Sequence, residues 1–205
     1  MKMKKTLTAV VALALVAAVS VAGTMAYLTD KTGPVTNTFT AGSLGADMKL
    51  ALLETPAQQG TDGQYTLTDG TPVANGQEYA NVLPGSTNAK DPHVNVTGLT
   101  TDAYLFIEVV NDESDAIEAS VNTDNWTLME GVTSKTTDAK VYKYHADGKV
   151  ANGQTLDKIY VLKDNTFKVG TTMTNSDEMK PIVVKAYICQ AAGFGSAEDA
   201  WKGAF

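Results

Sequence analysis

The chain has 205 residues, with 16 basic and 23 acidic side chains and a formal net charge of −7 at pH 7. Every basic residue is Lys, so the chain lacks the Arg side chains that make most bidentate phosphate and guanine contacts, and no nucleic-acid partner is expected. Its single Cys excludes an internal disulfide, so the core must be held together by burial alone.

The first 26 residues have the pattern of a secretory signal peptide. Three lysines among the first five residues precede an unbroken Ala/Val/Leu run of 11 residues at 9–19, and small residues follow. This run is shorter than the ~20 residues of a membrane-spanning helix. We predict a signal-peptide helix at 1–26, cut after Ala26, with Thr24 and Ala26 as the small-x-small pair and Tyr27 as the new first residue. A retained anchor, with the run extended to Ala26, is the alternative.

Residues 27–44 form the N-terminal segment of the predicted mature chain. Leu28, Val35 and Phe39 are its large apolar residues between 28 and 43, and five threonines add the strand propensity of β-branched side chains. Gly33-Pro34 divides the segment, because proline cannot donate a ladder hydrogen bond. The pattern predicts extended pieces at 27–31 and 35–40.

Residues 45–205 read as one all-β domain. Short β-rich runs alternate with Asp-Gly and Asn-Gly pairs, which accept the positive φ of tight hairpin turns. Some eight to ten strands at this spacing predict an antiparallel β-sandwich or barrel. The main predicted strands are 46–54, 64–68, 93–98, 103–111, 125–130, 140–146, 158–164 and 182–191.

Two of these runs, 103–111 and 182–191, are almost continuously apolar, which predicts central strands covered on both faces. Glu108 and Lys185 interrupt them; we read both as reaching solvent, with a cross-strand pair as the alternative. Cys189 is expected to pack as a small apolar side chain, although an exported lone thiol can also bridge two chains. A short C-terminal helix is predicted, with Ser196 as its cap and Trp201 pinning it to the sheet.

The sequence contains no recognisable catalytic or metal-binding motif. His93 and His145 are isolated and are both assigned to the surface. The acidic run at 111–115 lacks the spacing of a calcium-binding EF-hand loop, so a solvated loop is favoured over a calcium site. We therefore expect no catalytic residue, no metal ligand, no cofactor and no enzymatic activity.

The junction "GTMAYLTDKTGPVTNTFTAGSL" at 23–44 resembles the leader–mature junction of the TasA/camelysin family of Gram-positive bacteria. The family pattern is G-T-x-A-[YF]-[FL]-x-D, a polar spacer, and then N-x-F-x-A-G-x-L. Segments 81–109 and 182–201 are also similar to internal and closing segments of that family. Met25 and Leu28 depart from its commonest residues. The matching positions are Gly23, Thr24, Ala26, Tyr27, Leu28 and Asp30, then Asn37, Phe39, Ala41, Gly42 and Leu44.

The resemblance implies a jelly-roll-like β-sandwich and an exported precursor matured by a SipW-type signal peptidase. It implies an extracellular location, at the cell surface or in the biofilm matrix, with membrane contact only before cleavage. It also implies a structural role in which the chain associates with itself or with related matrix subunits. In fibre-forming members the new N-terminus is donated as a strand to the neighbouring subunit, a form of β-augmentation.

For this chain, a donated strand would use Leu28, Val35, Asn37 and Phe39. The alternative is that residues 35–44 form the first strand of the chain's own sheet and 27–34 a tail. Two other functions stay open: a camelysin-like cell-surface metalloprotease, and a surface adhesion or binding module. For the module, the aromatic candidates are Trp126, Tyr142 and Tyr144, whose other expected role is packing within the sheet.

Overall fold

The structure is a computed structural model that describes residues 29–31, 44–74, 76–110, 116–171 and 181–205. Within these ranges the chain forms fourteen β-strands, one 3-10 turn and one α-helix. No helix in this part of the chain is both long and apolar enough to span a bilayer. The predicted signal-peptide helix at 1–26 lies outside the described residues.

The strands are two to eight residues long. In chain order they are β1 (Thr29–Lys31), β2 (Lys49–Leu53), β3 (Ala57–Gln59), β4 (Tyr65–Leu67), β5 (Thr87–Ala89), β6 (His93–Thr97), β7 (Ala103–Val110), β8 (Ile117–Glu118), β9 (Trp126–Leu128), β10 (Lys140–Tyr144), β11 (Lys149–Val150), β12 (Leu156–Tyr160), β13 (Thr166–Val169) and β14 (Val183–Gln190). The 3-10 turn is Lys163–Asn165, and helix α1 is Ala197–Ala204.

The strands form one large sheet and three smaller ones. The large sheet has the order β1-β14-β7-β10-β9, with β11 also paired to β7. The smaller sheets are β12-β6-β2, β5-β13-β8 and the hairpin β3-β4. All these strand pairs are antiparallel. The all-β, sandwich-like antiparallel fold with a short C-terminal helix is therefore confirmed.

The main core lies between the inner face of the large sheet and the smaller sheets. Leu105 and Ile188 come from the large sheet, and Leu50, Val94 and Val96 from the sheet opposite; all five are fully buried. The alternation predicted in β2 is observed. Leu50 and Leu52 are buried in this core, whereas Lys49 is exposed and Ala51 and Leu53 are partly buried.

The outer face of the large sheet carries a second apolar cluster under α1. Trp201 is fully buried there, with its ring centroid 5.4 Å from that of Phe106 and 5.1 Å from that of Tyr187. Its indole Nε1 donates to the carbonyl of Thr133 at 2.9 Å, and Ser196 Oγ caps the helix by accepting from Asp199 N at 3.1 Å. The predicted cap and the predicted role of Trp201 are both confirmed.

Because each face is covered, β7 and β14 are central in the sandwich as the apolar runs predicted. The sequence did not indicate β3, β5, β8, β11 and β13, which are two to four residues long. It also extended the strand at 158–164 too far, since β12 ends at Tyr160 and the chain then enters the 3-10 turn.

Glu108 does not reach solvent, so that interpretation was wrong. Its side chain is 1% exposed and accepts hydrogen bonds from the backbone N–H groups of Lys135 and Thr136, from Thr136 Oγ1, and from the Tyr187 hydroxyl at 2.7 Å. Lys185 is its cross-strand Cα partner and joins the same cluster by donating to Thr136 Oγ1 at 2.8 Å. The carboxylate thus anchors the β9–β10 loop, and burial together with this hydrogen bond raises the pKa of Tyr187.

His93 is likewise buried rather than at the surface, which corrects the prediction. It has no exposed area, its Nδ1 lies 2.8 Å from the carbonyl of Asp91, and its ring packs edge-on against Tyr160. The other histidine, His145, is exposed as predicted. A histidine that starts a strand after Asp91-Pro92 can therefore belong to the core when its backbone neighbours supply the hydrogen-bond partner.

Candidate functional site

The outer edge of β14 is the place where the N-terminal segment meets the fold. β1 lies antiparallel to β14, with Thr29 opposite Cys189, Asp30 opposite Ile188 and Lys31 opposite Tyr187. β7 pairs with β14 along its whole length on the other side. β1 accordingly supplies a second neighbour to three of the eight residues of β14.

The side chains of β14 explain why this edge takes a partner strand. Ile188 faces the main core, whereas Tyr187 and Cys189 face the cluster under α1. Burial of both faces is typical of an internal strand of a sheet. The backbone N–H and C=O groups on the outer side of β14 can therefore pair with an added strand. The chemistry of this site is backbone hydrogen bonding, with no reacting group required.

The residues singled out in the sequence for processing and assembly lie outside the described residues. This applies to the cleavage region and to the four candidate assembly positions. Within the predicted 27–44 segment, the structure describes only β1 and Leu44. Leu44 is fully buried, and its carbonyl accepts a hydrogen bond from Thr100 N at 2.8 Å. The positions concerned are Thr24, Ala26, Tyr27, Leu28, Val35, Asn37 and Phe39.

Cys189 lies in the β14 edge and packs as predicted, with no exposed area. Burial raises the pKa of its thiol to about 12, against a partly opposing backbone hydrogen bond from Tyr104. Because a buried, protonated thiol is a poor nucleophile, we expect no reaction with a thiol-specific reagent at pH 8 in the folded protein and full reaction after denaturation.

The same thiol gives an alkaline pH dependence. Its pKa is raised on folding from 9.0, so its contribution to stability is present below pH 9 and is lost as pH rises towards 12. We expect Cys189→Ala to reduce the loss of unfolding free energy between pH 9 and pH 11, measured by urea titration. An identical pH slope in the variant would contradict the assignment.

A second buried polar cluster, at the end of β2, was not found from the sequence. Lys90 Nζ donates to both carboxylate oxygens of Glu54 at 2.9 Å, and the Tyr79 hydroxyl donates to Glu54 Oε1 at 2.8 Å. Beside it, Asp91 accepts from the backbone N–H and the hydroxyl of Thr55, each at 2.7 Å. Burial and the adjacent Glu54 raise the pKa of Tyr79. The alternation in β2 could have predicted this burial, because Glu54 follows the inward-facing positions 48, 50 and 52 at the same two-residue spacing.

The three aromatic residues considered for a binding face are packing residues. Trp126 is fully buried, Tyr144 is nearly so, and Tyr142 is half-buried against the main core. In the part of the chain that the structure describes, no three His, Cys, Asp or Glu side chains are grouped so as to hold a metal ion.

Comparisons with known proteins add no relative to this description. No protein-family model matches the chain, and neither does any curated protein or solved structure.

Proposed function

We propose that this chain is a secreted, non-enzymatic structural protein of the extracellular or biofilm matrix, matured by a SipW-type signal peptidase. In this proposal the mature N-terminal segment is donated as a strand to a neighbouring copy or a related subunit. The observation that supports it most directly is the antiparallel pairing of β1 with the outer edge of β14. The resemblance of residues 23–44 to the TasA/camelysin junction supports the same role.

Exchange of β1 between copies would involve one short strand. β1 contributes three paired residues, and residues 32–48 separate it from β2. The pairing that β1 makes within one chain can be made identically on the β14 of another chain, which is the arrangement of a domain swap. Because the donor and the acceptor edge are different surfaces, the contact is head-to-tail, and repetition of such a contact produces a filament when it does not close.

An engineered disulfide tests the donated strand directly. Residues directly opposite each other on paired antiparallel strands have Cα atoms about 4.5–5.5 Å apart, and a disulfide can span that distance. In the mature chain, residues 27–205, we expect Thr29→Cys to form a bridge with the natural Cys189, within one chain in the monomer. After assembly, we expect the bridge to join subunits, giving a ladder of covalent oligomers on a non-reducing gel.

Two variants are matched controls for this experiment. Asp30→Cys shifts the thiol by one residue to the opposite face of the strand, so it should not bridge to Cys189. Thr29→Cys combined with Cys189→Ala should give no ladder. Electron microscopy should show filaments from residues 27–205 and none from a chain starting at Gly42. Filaments whose bridges are all within one chain, or the absence of filaments in every condition, would contradict strand donation.

A further inference from the structure

The hairpin β3-β4 forms a two-stranded sheet of its own, so each of its strands has an outer edge. At one end of the hairpin, Thr68 N donates to the Pro56 carbonyl at 2.8 Å. Residue pairs in an antiparallel ladder alternate between those that bond each other and those whose backbone groups point away. Given this bond and the register of the hairpin, the N–H and C=O groups of residues 57 and 59 point away from β4 and form the outer edge of β3.

Large apolar side chains are exposed around this hairpin. In the described ranges, four such side chains are exposed by more than a third, and three of them are Leu67, Val73 and Leu83. Leu67 lies opposite Ala57 in the hairpin, and Leu83 packs over its turn at Gly63. β3 has three paired residues, as many as β1 pairs with β14. An edge strand with exposed apolar neighbours attracts other chains, so the β3 edge could compete with β14 for an added strand.

The side chain of Gln77 occupies half of the β3 edge. Its Oε1 accepts from Ala57 N at 2.6 Å, and its Nε2 donates to the Ala57 carbonyl at 2.5 Å. A side-chain amide offers a donor and an acceptor as a peptide group does, so Gln77 makes the two bonds that a residue of an added strand would make. Gln59, the other outward residue, holds the same segment in place, because its Nε2 donates to the Asn81 carbonyl at 3.1 Å. An added strand must therefore displace Gln77 before it can pair with both Ala57 and Gln59.

The outer edge of β4 is occupied by a second side-chain amide. Asn88 is fully buried in β5, and its Oδ1 accepts from Tyr65 N at 3.0 Å. The Tyr65 hydroxyl in turn donates to the Ala80 carbonyl at 3.1 Å, which fixes the segment that carries Gln77. Both sides of the hairpin are thus bonded to side chains of the same subunit. At β14 the bonding partner is instead the backbone of β1.

We infer that Gln77 is a specificity-determining residue for assembly, because it keeps the β3 edge closed to a second copy of this chain and leaves β14 as the edge where strands are added. The inference rests on the proposed function and names the residue that decides which edge is used. The strand that Gln77 excludes is β3 of the other copy, since two identical edges fit each other about a two-fold axis. In that antiparallel pair, residue 57 of one copy bonds residue 59 of the other, and Gln58 lies opposite its equivalent.

The test uses the mature chain, residues 27–205, with Gln58→Cys as a reporter on a non-reducing gel. Gln58 is exposed, and in the two-fold pair the two positions are close enough for a disulfide. Gln77→Ala and Gln77→Met should each raise the fraction of disulfide-linked dimer about tenfold. They should also speed the hydrogen exchange of the Ala57 amide about tenfold, because that amide loses its acceptor. Glu78→Ala, at the exposed neighbouring position, is the matched control and should change neither quantity.

The two Gln77 variants separate the amide bonds from the packing of the side chain. Methionine keeps the length of glutamine but lacks its amide, so a dimer seen with Gln77→Ala and not with Gln77→Met overturns the inference. An unchanged dimer fraction in both variants, or an unchanged exchange rate of the Ala57 amide, also overturns it. Filament formation is scored separately by electron microscopy. If residues 27–205 never form filaments while Gln77→Met still opens the β3 edge, strand donation is contradicted and the closure of β3 by Gln77 stands.

Discussion

Trp201→Ala is expected to lower the free energy of unfolding by about 3–5 kcal/mol. The ring is fully buried against Phe106, Tyr187 and Phe205, and its truncation leaves a cavity beneath α1. The variant also loses the Nε1 bond to the Thr133 carbonyl. α1 has eight residues, too few to be stable alone, so most of its stability comes from this contact. Urea unfolding at pH 7 measures the change.

The neighbouring Lys202 provides the control for Trp201. It is exposed on the same helix, so Lys202→Ala should change stability by less than about 0.5 kcal/mol. The Trp201→Ala variant should in addition expose Cys189 to thiol reagents, since both residues belong to the cluster under α1. A loss below about 1 kcal/mol with Cys189 still protected would show that α1 does not hold this face closed.

Lys90→Met is expected to destabilise the fold by about 3–5 kcal/mol, because it leaves the buried carboxylate of Glu54 without its cation. Both side chains of the pair are 9% exposed, and the ammonium makes two bonds of 2.9 Å to the carboxylate. The Tyr79 hydroxyl remains as a donor to Glu54 but carries no charge. The measurement is again the free energy of unfolding in urea.

The double variant Glu54→Leu, Lys90→Met separates the cost of an orphaned charge from the value of the pair. Replacing both partners by apolar residues of similar size is often neutral, so the double variant should recover most of the loss. Lys168→Met, at an exposed position of β13, serves as the control for the lysine replacement. A double variant as unstable as Lys90→Met would mean that the lost stability comes from packing rather than from the uncompensated charge.

The sequence predicted the strands best where a single burial pattern, either continuous or alternating, runs through the whole strand. The apolar runs of β7 and β14 and the alternation in β2 each have one dominant signal, and each strand is where that signal put it. β5 and β13 lack such a signal because they are short and mix Thr, Asn and Lys with few apolar residues. Their partners, far apart in the chain, determine that they are strands.

Polar residues inside apolar runs were the main source of error, for a physical reason. Glu108 is stable in the core because the loop at 131–139 wraps over it and donates backbone hydrogen bonds. A single sequence gives no indication of a donor that lies some 27 residues away. The pairing of β1 with β14 was even harder to predict, because Thr29 and Cys189 lie near opposite ends of the chain. The segment was predictable as extended, but its acceptor was not.

Helix α1 would also limit the direction in which the proposed assembly grows. It lies over the broad outer face of the large sheet, where Trp201 and its neighbours leave no flat surface for a second sheet to stack on. Stacking of a second sheet on this face is therefore blocked, while the strand pairing at the edge of β14 is unaffected. A polymer built on this edge would therefore lack, on its α1 face, the stacked layers of an amyloid.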